Sequence, residues 1–167
     1  MTTAYLIHGT STRDDDWFPW LEEALAPAVK LERLWLPDPF APTQAAWDSA
    51  LEDQIKPADG LTLASPRPRG AAALAQGARH PQTEGATLVL VSAFVDPLPP
   101  YPSLDAYMAG KLDLKALQPQ LHRATVIVAK DDYVAPYQLG VAVAKGLGAK
   151  LIVQDRGGHF LTSDGYE

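Results

Sequence analysis

No cysteine occurs among the 167 residues. Disulfide staples, thiolate nucleophiles, zinc fingers and iron–sulfur clusters go with it. Basic charge is scarce too: 14 Lys and Arg stand against 20 Asp and Glu, a net charge of −6. That balance disfavours nucleic acid or an anionic membrane as the main partner. Residues 1–8 read Met-Thr-Thr-Ala-Tyr-Leu-Ile-His, without the basic region and long apolar stretch of a signal peptide. No apolar run approaches the ~20 residues of a membrane span. Together these absences lead us to expect a cytoplasmic protein. What is present is a hydrophobic fraction of 47%, which fits a globular core. A chain of this length buries roughly two-thirds of its unfolded surface as one domain, so residues 1–167 are read as a single domain.

Six short β-rich runs stand out, at residues 4–8, 31–36, 61–64, 86–92, 124–129 and 150–154. Leu88-Val89-Leu90-Val91 and Val126-Ile127-Val128 are apolar throughout, as strands covered on both faces should be. Helical patterns lie between them at 17–26, 43–55, 71–78 and 136–147. Alternation of this kind predicts an α/β fold: a doubly wound, mostly parallel sheet of about six strands with helices on both faces. The Pro-rich stretch 96–102 reads as a long loop, because the alternation resumes after it. Ligands of such sheets bind beyond the carboxyl ends of the strands, which directs attention to the residues just after each run.

Two of those strand ends carry an acid and a base. Asp132 stands in Asp131-Asp132-Tyr133-Val134-Ala135-Pro136, and His159 in Arg156-Gly157-Gly158-His159-Phe160. A carboxylate and an imidazole at neighbouring strand ends can form the Asp–His pair of a hydrolase triad. Each residue alone has a plainer reading, as a helix cap or a surface or core histidine. Their joint position and their chain order favour the pair. His8-Gly9 after the first run is a weaker signal: a simple turn, or one wall of an oxyanion hole with Gly9 and Thr10 as donors. Asp14-Asp15-Asp16 reads as a solvated helix start rather than a metal site. No metal or cofactor is expected.

These segments, with Trp17-Phe18-Pro19-Trp20-Leu21, Leu36-Pro37-Asp38-Pro39 and Leu90-Val91-Ser92-Ala93-Phe94, resemble the small serine hydrolases of the retinoblastoma-binding protein 9 and YdeN family. The resemblance runs through nearly the whole chain in order. It implies a compact α/β-hydrolase fold and a Ser–His–Asp triad acting on small carboxylic esters or amides. Asp132 and His159 would be acid and base, and His8, Trp17 and Phe94 would line the substrate pocket. Ser92 belongs to a motif of the family and is not its nucleophile. The chain ends at Glu167, where the family is expected to continue into one more helix.

The resemblance breaks at the nucleophile. The family's Gly-His-Ser-x-Gly turn is replaced by Leu63-Ala64-Ser65-Pro66-Arg67-Pro68-Arg69-Gly70, in which Ser65 is the only serine. An elbow serine needs a strained, positive-φ backbone, whereas a residue before proline is pushed toward extended values. Pro66 also has no N–H to serve as the second oxyanion donor. Losing one such donor costs roughly 3–4 kcal/mol, a factor of about 100–1,000 in rate. Two explanations stay open: a diverged elbow, or a local error in a GC-rich reading frame. The expected function is therefore a serine hydrolase with a degenerate elbow. The alternative is an inactive, hydrolase-like binding protein. The substrate would be a small molecule; no protein partner is indicated.

Overall fold

The computed structural model describes residues 2–56, 58–65, 84–106, 108 and 112–166. The helix expected at 71–78 and the segment from Pro66 to Gly70 lie outside them. In chain order the described elements are β1 (Thr2–Leu6), α1 (Phe18–Leu25), β2 (Val29–Arg33), α2 (Gln44–Gln54), β3 (Thr62–Ser65) and β4 (Ala86–Val91). They continue with the short α3 (Leu114–Leu117), β5 (Leu121–Ala129), α4 (Tyr137–Leu147) and β6 (Lys150–Gln154). The strands form one sheet in the order β2-β1-β3-β4-β5-β6. Every neighbouring pair is parallel, so all the carboxyl ends lie along one edge.

Apolarity without alternation has the expected cause, since both faces are covered. Tyr5, Leu63, Leu88, Leu90, Val126 and Val128 pack under α2 (Trp47, Leu51) and α4 (Val143, Ala144, Leu147). Ala4, Leu6 and Leu31 pack under Phe18 of α1. Each of the larger side chains contributes about 1.5–3 kcal/mol on burial. Thr43 caps α2 by accepting the N–H of Ala46. Gly140 lets α4 lie close on β5: a Cβ there would collide with Val128 Cγ1 and stand 3.3 Å from the carbonyl oxygen of Ala93. That close approach fixes the connection between β5 and α4, which carries Asp132. Among the described residues, no helix is long and apolar enough to cross a membrane.

Candidate active site

The carboxyl end of β5 supplies the acid. Asp132 turns back on its strand through its N–H to the carbonyl of Ala129 at 3.2 Å. Its Oδ1 accepts the N–H groups of Val134 and Ala135, both at 2.9 Å, so the carboxylate is anchored in its own loop. Nδ1 of His159 lies 3.0 Å from both carboxylate oxygens. Both side chains are buried. An ionised carboxylate only accepts, so His159 Nδ1–H is the donor, and Nε2 of the neutral ring is left as a base. Burial pushes the Asp132 carboxyl upward. The hydrogen bond from His159, the Ala135 N–H, the charge of His159 and the Ser92 hydroxyl together outweigh it and hold the group below its ordinary value.

The loop that carries His159 is tied down by further carboxylates. Asp131 accepts the N–H of Gly158 at 2.9 Å. Asp164 Oδ2 accepts the N–H of His159 at 2.9 Å and that of Leu161 at 3.2 Å. Asp164 Oδ1 also receives the Tyr133 hydroxyl at 3.2 Å. Asp16 accepts the N–H of Thr162 at 3.2 Å, and Trp17 Nε1–H donates to the carbonyl of Phe160 at 2.8 Å. The turn requires glycine: Gly158 has φ +52, and a Cβ there would lie 2.6 Å from the Asp164 carboxyl carbon. Asp131 thus holds the loop's backbone while Asp132 holds the ring. The clamping roles of Asp164 and Asp16 escaped the sequence reading. Asp164 left one trace, an acid ending the short Thr162–Asp164 turn just after Gly-Gly-His-Phe.

Gly9 lines a narrow crevice with His159, Ser11, Asp16, Ser92 and Phe160, and Thr10 follows it in the loop after β1. Across Val91 and Phe160, which line both spaces, lies an apolar cavity of about 220 Å³. Its other walls include Trp17, Trp20, Leu21, Ala64 and Ser65. Of the residues expected at a substrate pocket, Trp17 is at this wall, whereas His8 and Phe94 line neither space. His8 is buried, with Nδ1 2.9 Å from the carbonyl of Gly9 and Nε2 accepting the Leu36 N–H at 3.1 Å. It pins the loop after β1 to the loop after β2. Phe94 packs in a separate cluster with Leu98, Leu104 and Ala135.

Ser65 ends β3 as a ladder residue paired with Leu90. Its Oγ is buried and donates to the carbonyl of Ile7 at 3.0 Å. Among the described residues, no hydrogen bond joins Ser65 to His159, and the non-glycine residues with positive φ are Asp16, Asp38, Ser92 and Phe160. Leu63 packs into the core under α2 and α4.

The serine hydrolase family matches residues 4–167. YdeN of Bacillus subtilis (strain 168) is 31% identical over 167 residues, spanning 97% of this chain and 87% of the relative. The crystal structure of the B. subtilis ydeN gene product superposes with a TM-score of 0.88 at 29% identity, covering 99% of this chain and 91% of that one. The esterase domain of a Rhodothermus marinus protein shares the fold, with a TM-score of 0.66 at 13% identity, over 98% of this chain and 80% of that one.

Proposed function

Because the chain belongs to the serine hydrolase family, we propose that it hydrolyses small carboxylic esters or amides, slowly, through Ser65, His159 and Asp132. The observation that carries this reading is the buried Asp132–His159 pair, with Nδ1 3.0 Å from both carboxylate oxygens. In the proposed reaction Ser65 Oγ leaves the Ile7 carbonyl and turns toward His159. His159 Nε2 takes its proton as the oxygen attacks the substrate carbonyl carbon. The tetrahedral intermediate then collapses, His159 protonates the departing alcohol or amine, and an acyl-Ser65 remains. A water molecule, deprotonated by the same Nε2, cleaves the acyl-enzyme. Asp132 stabilises the imidazolium in both halves. The N–H groups of Gly9 and Thr10 are the proposed oxyanion donors.

The apolar cavity supports an apolar acyl group. Its volume of about 220 Å³ exceeds the roughly 150 Å³ that accommodates a benzene ring. The rate is held down at the nucleophile: Pro66 offers no N–H to the oxyanion, and Ser65 remains in the β3 ladder. A specific observation favours the second reading, an inactive binding protein with a hydrolase frame. It is the Ser65 hydroxyl, buried and committed to Ile7. Turnover of p-nitrophenyl esters and labelling by a fluorophosphonate separate the two. Slow labelling at Ser65, lost in Ser65→Ala and in His159→Ala, is the expected result. No labelling after prolonged exposure would overturn the triad in this chain and leave the binding protein.

A further inference from the structure

At the end of β4, between the loops that carry Asp132 and Gly9, Ser92 combines two features that each cost free energy. Its backbone is left-handed, with φ +49, a conformation unfavourable for a residue with a Cβ. Its hydroxyl is fully buried and makes no hydrogen bond of full geometry. Unrelieved costs of this kind cluster where a group serves a site. Ser92 lines the crevice beside His159, and its N–H to the carbonyl of Ile127 at 2.9 Å extends the pairing of β4 with β5, so its position is rigid.

The free acceptor capacity lies on the neighbouring carboxylate. Asp132 Oδ1 already receives Val134, Ala135 and His159, whereas Oδ2 receives His159 alone among the described residues. We propose that Ser92 is a positioning residue: its hydroxyl turns to donate to the Asp132 carboxylate, fixing that group against the His159 ring and moderating its basicity. The burial of Ser92 keeps its oxygen from substrate, so it acts only through Asp132. The inference rests on the hydrolase reading of the Asp132–His159 pair. The influence of Ser92 on Asp132 is in the direction that favours the ionised carboxylate.

Removing this donor leaves more of the carboxylate's charge for the imidazole. The protonated ring then gains, and the protonation midpoint of His159 rises. The experiment is an NMR titration of the His159 ring nitrogens in the full chain, in the unmodified protein and in Ser92→Ala and Ser92→Gly. It needs no turnover. Asp132, Asp131, Asp164, Asp16, Tyr133 and Tyr166, the titratable groups facing the His159 loop, are unchanged in both variants. Both should raise the midpoint by about half a pH unit or more, with the Nδ1 proton resonance displaced. Glycine suits φ +49, so Ser92→Gly folds even if Ser92→Ala does not. An unchanged midpoint in Ser92→Gly, or a shift in Ser92→Ala alone, overturns the proposal, because a packing or backbone role would then suffice. Ester turnover of the unmodified chain is measured alongside. Absent turnover with a displaced midpoint counts against the hydrolase reading and not against the role of Ser92.

Discussion

At the ends of β5 and β6, one short loop is held from several sides. Asp131, Asp164 and Asp16 take its backbone N–H groups, Asp132 takes the imidazole, and Trp17 takes the carbonyl of Phe160. At the end of β3, a single hydroxyl is tied to Ile7, and the residue that follows cannot donate. The loop that carries His159 is over-determined, while Ser65 shows one side-chain hydrogen bond among the described residues. The two places on the sheet's edge thus differ in how far they are preorganised. The contrast also says where substitutions should matter in opposite directions.

The largest effect should come from removing the base once the nucleophile works. In a chain carrying Pro66→Leu and Arg67→Gly, His159→Ala should lower kcat for a p-nitrophenyl ester by about 10⁴-fold. A loss under tenfold would mean that the well-built half is not catalytic. The next largest is the repair itself. It returns an N–H to position 66 and a small residue to 67, and kcat should rise by about 100–1,000-fold over the unmodified chain. Leu63 is left in place because it fills the core, and a deletion there would cost about 2–5 kcal/mol. No gain from the repair would place the defect outside the missing donor.

Much of this contrast is written in the sequence, and some is not. The runs around Leu88 and Val126 announce buried parallel strands because both faces are apolar. The start of β5 is less visible, because His122 and Arg123, which follow Leu121, are exposed. Asp132 and His159 stand out because strand ends in a parallel sheet converge on one edge, and chain order supplies the rest. The Asp164 and Asp16 clamps leave almost no local signal. Asp16 is 146 residues from Thr162, and only the folded chain brings α1's entry beside the last loop. His8 shows a similar limit: its bond to the N–H of Leu36, 28 residues on, leaves no local signal.

A smaller effect probes the clamp. Asp164→Ala leaves the N–H groups of His159 and Leu161 and the Tyr133 hydroxyl without their shared acceptor. Each lost partner of a buried group costs about 1–3 kcal/mol, less where water replaces it. A ring displaced by about 1 Å loses on the order of 100-fold in rate. In the repaired chain kcat should therefore fall by about 10–100-fold with KM little changed. Asp164→Glu should recover part of it. A change in KM alone would show that the loop shapes the substrate cavity rather than the base.

The smallest effect is on stability against pH, and its sign follows from Asp132. Burial raises the carboxyl's pKa, but His159, the Ala135 N–H and Ser92 lower it further, so the folded value lies below the unfolded one. A group depressed in this way binds fewer protons folded than unfolded. Its contribution is complete above the unfolded value of about 3.9 and is lost as pH falls through the folded value. Urea unfolding of the unmodified chain and of Asp132→Asn, from pH 7 down to pH 3, gives the comparison. The stability gap should close as pH falls below about 4, by about the same amount in low and moderate salt, because the pair is buried. Asp155 provides the exposed counterpart. The hydrogen bond from Lys130 and its charge lower the Asp155 carboxyl too, but both partners stand in solvent. Asp155→Asn should change stability little, and that little should vanish in salt. A gap for Asp132→Asn that is flat through the acid range, or that salt erases, would show that the Asp132–His159 pair behaves as a surface contact. The distinction between the tightly held His159 loop and the end of β3 would fall with it.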